Sequence, residues 1–389
     1  MTQISPVSAP GYRAVYSNLA YAVLSLAYES LDGKNRTFEQ LLQHYVLEPV
    51  GMKSSFMNLP KNRTTSDAVI PPLPSNFWNF DMSLFGAAGG LFSTPSDMTK
   101  LMQSLLSHEI LDRDTYQTFL KPRTMIGGSE SSLVGNPWEI VRGNILKKTP
   151  KRITDVYAKD GGVTGYTSRI GILDDYGLGF IVMSASAGNG EKLVNALTEA
   201  VIGNFIDVIE DETRKEAREN GYVGEFGSGN GKQGVKLKVE EHSQGGLVVT
   251  KFTDGKFNML DSIVQYVGMM GSKGGKSGDD FEFRLFPSGI VRKDSETDED
   301  LEEWRMLSQP ASKKSDNGKK GKRGVKLPSS GIYDGYEECV TWATQDNVSY
   351  GGQGIERVIF RKKGESVVKI ELPAFRIQAD RTLRKKKLA

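Results

Sequence analysis

The sequence predicts an α/β chain of the α+β kind, with helices and an antiparallel sheet in residues 1–218 and a small antiparallel β barrel or sandwich in residues 219–389. Three observations carry this. Apolar residues recur at helical spacing from Asn18 to Leu31 and again after Gly190. Three strand-like runs follow one another between Ile153 and Ala185, separated by turn residues. Beyond Asn220 the chain changes to short alternating runs punctuated by glycine turns. A length of 389 residues, 38% of them hydrophobic, suffices for two domain-sized cores.

Taken in order, NLAYAVLSLAYESL is built from good helix formers and stops at Asp32-Gly33, which predicts a mostly buried helix. A second helix, about Thr37 to Val46, is expected to break at Pro49, and Gly51-Met52 to open a loop. GAAGG reads as a glycine-rich turn. After it Thr94 caps, Pro95 fits the first helical position and Asp97 suits the N-terminal dipole of the next helix. ITDVYA, YTSRIGIL and LGFIVMSA read as consecutive antiparallel strands, the last two joined by the turn Asp174-Asp175-Tyr176-Gly177. A long helix from about Gly190 to Arg218 closes the first part.

In the second part VKLKVEE, GLVVTKF, FEFRLFP, RVIFRKK and VVKIELP read as strands. Three interruptions read as solvated loops: Gly271 to Asp280, the acidic run Glu296 to Glu303, and the basic stretch Lys313 to Lys326. Trp304, Tyr336 and Trp342 are expected in the barrel core.

Composition narrows the function. With Lys+Arg at 50 and Asp+Glu at 48, the net charge of +2 gives no chain-wide attraction to phosphate or anionic lipid, so neither a nucleic-acid nor a membrane partner is expected. The apolar run Leu19 to Leu26 is too short to span a bilayer, and no export signal is visible. The single cysteine, Cys339, forms no internal disulfide, and His44, His108 and His242 lie far apart, so no metal and no cofactor are expected. Sequons at Asn35, Asn62 and Asn347 occur as often by chance in such a length. Oligomeric state is left open.

Two short motifs carry chemistry. Tyr16-Ser17-Asn18 precedes the first helix, and Lys159-Asp160-Gly161-Gly162 opens a strand pair far downstream. Singly, each has an ordinary structural reading, since a tyrosine at a helix start usually packs. Their order, with VYSNLAYAVLSLAYESLDG, FEQLLQHYVLEPVGMKSSF, GAAGGLFSTPSDMTKLM and YAKDGGVTGYTSRIGIL in succession, resembles the serine β-lactamase and penicillin-binding-protein family, its class C and esterase-like branch in particular. The resemblance covers about Pro10 to Ala185 and implies a β-lactamase/transpeptidase-like antiparallel sheet with helices.

That resemblance implies roles. Tyr16 and Asn18 match the family's Tyr-x-Asn, and Lys159 and Gly161 its Lys-Thr-Gly, with Asp160 departing from the usual small hydroxyl residue. A phenol with an ordinary pKa of about 10 serves as a general base only if nearby cations stabilise its phenolate. Tyr16 would be that base and Lys159 such a cation. Asn18 would hydrogen-bond the substrate carbonyl, Gly161 would line the substrate site, and the Gly162 N–H would supply half of the oxyanion hole. Asp160 is expected to repel a substrate carboxylate.

The family's nucleophile, Ser-x-x-Lys, should lie well upstream of Tyr16, and only fifteen residues precede it here. Ser366-Val-Val-Lys369 has the spacing but lies in an alternating segment that points the two side chains to opposite faces, and Thr118-Phe-Leu-Lys121 falls between the two motifs. The expectation is a fold lacking its N-terminal part, with apolar surface exposed there. The lineage is that of a serine hydrolase or acyltransferase acting on a small-molecule ester, amide or β-lactam, and this chain alone is not expected to form an acyl-enzyme. The alternative is a non-catalytic relative with a binding or accessory role. Gly221-Tyr222-Val223-Gly224-Glu225-Phe226 resembles the entry strand of the β-rich appendage found in fungal relatives.

Overall fold

Ser17 sets where the first helix begins. Its extended backbone and its hydroxyl, which accepts the Ala20 N–H at 3.0 Å, cap α1 (Asn18–Asp32), and Gly33 in the left-handed region (φ +67°) ends it. In this computed structural model, which describes residues 8–9, 11–57, 68–74, 77–78, 80–126, 131–143, 153–229, 234–269, 278–310 and 348–382, α1 is not the mostly buried helix its spacing suggests. Its buried residues are the small Ala22 and Ser25, while Leu19, Leu24, Leu26, Tyr28 and Leu31 are exposed, Leu31 by 81%. Two small side chains one turn apart allow close packing along one narrow stripe, and the large ones point elsewhere.

The next helical run also departs from expectation. Thr37 and Gln40 form a reciprocal capping box at the start of α2 (Phe38–Leu42), and the chain continues through a π turn (Gln43–Leu47) into α3 (Glu48–Val50) before Gly51 stops it. Pro49 does not end the helical run at once: it falls within α3, and the run stops two residues on at Gly51 in the left-handed region. GAAG is likewise helical, as α4 (Gly86–Gly89), instead of a turn. The cap of α5 (Pro95–Leu106) is as expected: the Thr94 hydroxyl accepts the Asp97 N–H at 3.2 Å. Asp112 caps α6 (Arg113–Leu120) in the same way.

Six strands form an antiparallel meander in chain order: β1 (Thr124–Met125), β2 (Ser132–Val134), β3 (Glu139–Gly143), β4 (Thr154–Val163), β5 (Tyr166–Leu173) and β6 (Leu178–Ala185). Tyr157 pairs Ile172, Lys159 pairs Ile170, and Asp160 pairs Arg169. Alternation therefore divides the sheet residues between two faces. Ile140, Tyr157, Ile170, Ile172 and Ile181 pack with Met102, Leu105 and Tyr116 of α5 and α6. Val156, Leu173, Phe180 and Val182 pack with Val194 and Ile206 of α7 (Gly190–Glu219).

The chain divides into two compact units, Met1–Ile209 and Glu210–Ala389. The division falls within α7 and not at 218/219, since Ala217 joins the core of the second unit and Arg214 pairs with Glu241 there at 3.5 Å. The second unit holds β7 (Gly224–Ser228), β8 (Val235–Glu241), β9 (Leu247–Asp254), β10 (Phe257–Asn258), α8 (Met259–Met269), β11 (Phe281–Lys293), β12 (Asp300–Pro310), a small ribbon of β13 (Ser349–Tyr350) and β14 (Gln353–Gly354), β15 (Arg357–Lys363), β16 (Ser366–Leu372) and β17 (Ile377–Arg381). The sheet runs β10-β9-β11-β12-β15-β16-β17-β7-β8, and β8 pairs back to β9. That return closes a barrel and settles barrel against sandwich, with Phe226, Leu237, Phe252, Phe283, Phe360 and Ile370 in its core.

Trp304 packs against this core, between Tyr222 and Phe360. The acidic run is a loop only in part: Asp300 to Glu303 enter β12, where Glu303 is buried and pairs with Arg357 at 2.6 Å. Cys339, Tyr336, Trp342, Asn62, Asn347, the basic stretch Lys313 to Lys326 and most of Gly271 to Asp280 lie outside the described residues. Among those described, no helix is long and apolar enough to cross a membrane.

Candidate active site

The site is assembled from the start of α1 and the second half of β4. Because Ser17 occupies the cap, Tyr16 stands just outside the helix and Asn18 at its first position, both exposed to solvent. Lys159 extends from β4 and places its Nζ 5.4 Å from the centroid of the Tyr16 ring. The same ammonium lies 2.7 Å from Glu139 Oε1 and donates to the Asp160 carbonyl at 2.9 Å.

Tyr16 and Lys159 thus come together. Asn18 shares the helix start with Tyr16. Gly161 lies two residues along β4 from Lys159, on the same face, and a methyl group there would press on Ser168 Oγ at 2.7 Å. A methyl on Gly162 would meet nothing within 4 Å, so its backbone borders open space. A Lys–Tyr ring contact alone is not diagnostic, because Lys362 lies 5.8 Å from the Tyr222 ring in the barrel with no such motif around it.

Three other tyrosines of the first unit, Tyr116, Tyr157 and Tyr166, are poorly suited to take a proton. Burial, and then the Asp174 carboxylate that accepts its hydroxyl at 2.9 Å, push the Tyr116 phenol well above its usual range. Burial pushes Tyr157 up to about 12, and it raises Tyr166, whose hydroxyl donates to the Val69 carbonyl.

Asp160 does not behave as expected. Alternation turns its side chain to the opposite face of β4 from Lys159, where Arg169 grips it with Nε to Oδ1 at 2.6 Å and Nη2 to Oδ2 at 2.7 Å. It is therefore not a free anion beside Lys159. Neither Arg169 nor Glu139 was marked by any sequence motif. Arg169 is recoverable only from the β4–β5 register, and Glu139 starts a strand too short to show alternation.

A buried network steadies the neighbouring loop on α5. Asp97, 2% exposed, accepts the Ser54 N–H at 2.6 Å and the Ser55 hydroxyl at 3.0 Å, and pairs with Lys100 at 2.8 Å. Lys100 also donates to the Gly51 carbonyl at 2.8 Å. A recess between α5 and β6, lined by Thr99, Met102, Leu106 and Gly179, holds none of the motif residues. Among the described residues, no three His, Cys, Asp or Glu side chains converge as metal ligands would.

Helices laid on an antiparallel sheet, with a Lys-x-Gly-Gly strand beside a Tyr-x-Asn helix start, make a mixed β-lactamase/transpeptidase-like fold, here with an additional C-terminal sheet domain. The family described as Beta-lactamase matches residues 1–203, and that described as Beta-lactamase-like-like, C-terminal domain, matches residues 213–383. The chain belongs to the β-lactamase family.

It is 28% identical to the Beta-lactamase-like protein of Arthroderma benhamiae over 95% of this chain and 61% of that protein. It is 27% identical to the D-alanyl-D-alanine-carboxypeptidase/endopeptidase AmpH of Escherichia coli over 51% of this chain and 53% of that protein. The chain therefore spans little more than half the length of these relatives. Among solved structures, the D-amino acid amidase from Ochrobactrum anthropi is 24% identical and covers 50% of this chain and 58% of that one, with a TM-score of 0.40.

Proposed function

We propose that this chain carries part of the acyl-transfer site of a β-lactamase-family hydrolase acting on a small-molecule ester or amide. The observation that supports it above others is the Lys159 ammonium 5.4 Å from the Tyr16 ring, at the junction of the two motifs. In this reading Tyr16 takes the proton from an attacking hydroxyl, with the Lys159 ammonium lying against its ring. The tetrahedral oxyanion receives the Gly162 N–H, and Asn18 orients the acyl group beside it. The proton then passes to the leaving alcohol or amine, and water repeats the cycle on the acyl-enzyme.

The reading places the nucleophile on residues outside this sequence. Ser366 and Lys369 lie on β16 in the other unit, and Lys121 falls beyond the end of α6, so neither pair is a Ser-x-x-Lys helix turn. A relative of which the chain covers 61% has room for such residues. The test is to map the 5′ end of the transcript and treat the natural protein with a fluorophosphonate, then locate the adduct by peptide mass. Labelling of a serine in Ser-x-x-Lys upholds the hydrolase. A natural protein that starts at Met1 and takes no label is a non-catalytic binding or accessory relative.

A further inference from the structure

We propose that Glu139 is the positioning residue that holds Lys159 beside Tyr16 and, by taking up its charge, makes the site favour acyl compounds without a neighbouring carboxylate. This rests on the acyl-site reading above and adds the class of substrate to it. Glu139 pairs opposite Ala158, which by alternation assigns it to the α7 face of the sheet, whereas Lys159 belongs to the other. The two meet because β3 begins at Glu139 and leaves the edge of β4 open from Lys159 onward, so both side chains reach around that edge to 2.7 Å.

An ammonium has three donors. Here one goes to Glu139, one to the Asp160 carbonyl, and the group lies against the Tyr16 ring. The other cations of these strands are committed in the same way: Arg142 pairs with Asp155 at 2.9 Å, and Arg169 holds Asp160 through two bonds. Every Lys and Arg of β3, β4 and β5 therefore has a carboxylate partner. A substrate carboxylate that sought Lys159 would have to displace Glu139 or sit beside it. Beside the pair it would meet one charge of each sign, so Glu139 offsets the attraction that Lys159 alone would give, which for charges about 4 Å apart in a water-like medium is worth about fivefold in affinity. A neutral ester depends on no such attraction.

The experiment uses the full chain labelled with 15N-glycine, and two probes: phenylacetylglycine methyl ester and its free acid, phenylacetylglycine. Binding is followed at the Gly161 and Gly162 amide resonances. The ester should bind more tightly than the acid, whose charge loses water with no net attraction to offset the loss. Glu139→Gln, which keeps the shape and removes the charge, should erase that preference by strengthening the acid, and Glu139→Asp should restore it. A merely structural role would weaken both probes alike. If the acid binds the native chain as tightly as the ester, or Glu139→Gln leaves the ratio unchanged, the proposal is overturned and the acyl site stands. If neither probe moves the two glycine amides, the acyl-site reading falls and this inference with it.

Discussion

Lys159 on β4 and Tyr16 at the threshold of α1, far apart in the chain, meet with the ammonium 5.4 Å from the ring centroid. Tyr16 is 69% exposed, so it adds little to the core. Function and stability should separate at this position. In a form of the protein that hydrolyses an ester, Tyr16→Phe should lower kcat by about 10²–10⁴-fold, the usual worth of a general base. Its melting temperature should stay unchanged. Steady-state hydrolysis beside differential scanning calorimetry checks both, and an intact kcat would remove Tyr16 from the role of base.

Asp97 should carry pH-dependent stability. Burial alone would raise its carboxyl, but the bonds from Lys100, the Ser54 N–H and the Ser55 hydroxyl outweigh burial and hold it below the usual carboxylate range. A folded-state value below the unfolded one means that the contribution is complete above the unfolded value of about 3.9 and is lost as pH falls through the folded value. Asp97→Ala should therefore cost about 2–3 kcal/mol at pH 7, as loss of hydrogen bonds to a charged group does. Urea unfolding at pH 7 and again in strong acid should show this difference shrinking at the lower pH.

Two glycines on neighbouring strands should differ in their response to a methyl group. Gly171 sits across from Phe180, and an added Cβ would overlap the ring, so Gly171→Ala should cost about 1–3 kcal/mol through overpacking. Gly162 faces open space, and Gly162→Ala should stay within about 0.5 kcal/mol of the native chain. Chemical denaturation of both variants measures the contrast.

In the barrel, Glu303 is buried and its oxygens are gripped by Arg357 at 2.6 and 3.1 Å, with Arg292 and Arg305 at 3.4 and 3.6 Å. These guanidiniums hold its carboxyl below the usual range, Arg357 foremost. Arg357→Ala should lower stability by about 2–3 kcal/mol, below the roughly 3–5 kcal/mol of a stranded buried charge, because two arginines remain in reach. A guanidinium chloride midpoint equal to that of the native chain would show that Arg357 is dispensable to the barrel.

The elements that could be read directly from sequence are those made by neighbours in the chain. Ser17, Thr37 and Thr94 each bond a backbone N–H three residues on, and all three start helices where expected. β4, β5 and β6 are long enough to show their apolar runs, whereas β1 to β3 have two to five residues and show none. β12 was hidden by its acidic start, which is tolerable in a strand only because Arg357, Arg292 and Arg305 gather around Glu303. The ordered motifs singled out Tyr16, Asn18, Lys159, Gly161 and Gly162 as candidates, and the fold brings Lys159 to the Tyr16 ring. Glu139 and Arg169 stayed invisible, since their contacts with Lys159 and Asp160 depend on which strands lie side by side.

Caps, turns and strand periodicity are interactions over a few residues, and so residue order alone carries the helix starts, the β4–β6 meander, the two-part organisation and the family likeness. Which large side chains of α1 remain exposed, on which face of β4 Asp160 falls, whether β8 returns to β9 and what Lys159 touches are set by pairing between distant segments. Strand register and closure come from backbone hydrogen bonds and packing across the whole sheet, and a local pattern such as Lys-Asp-Gly-Gly does not encode its neighbour. That is why the motif named the lysine, and the fold named its partners.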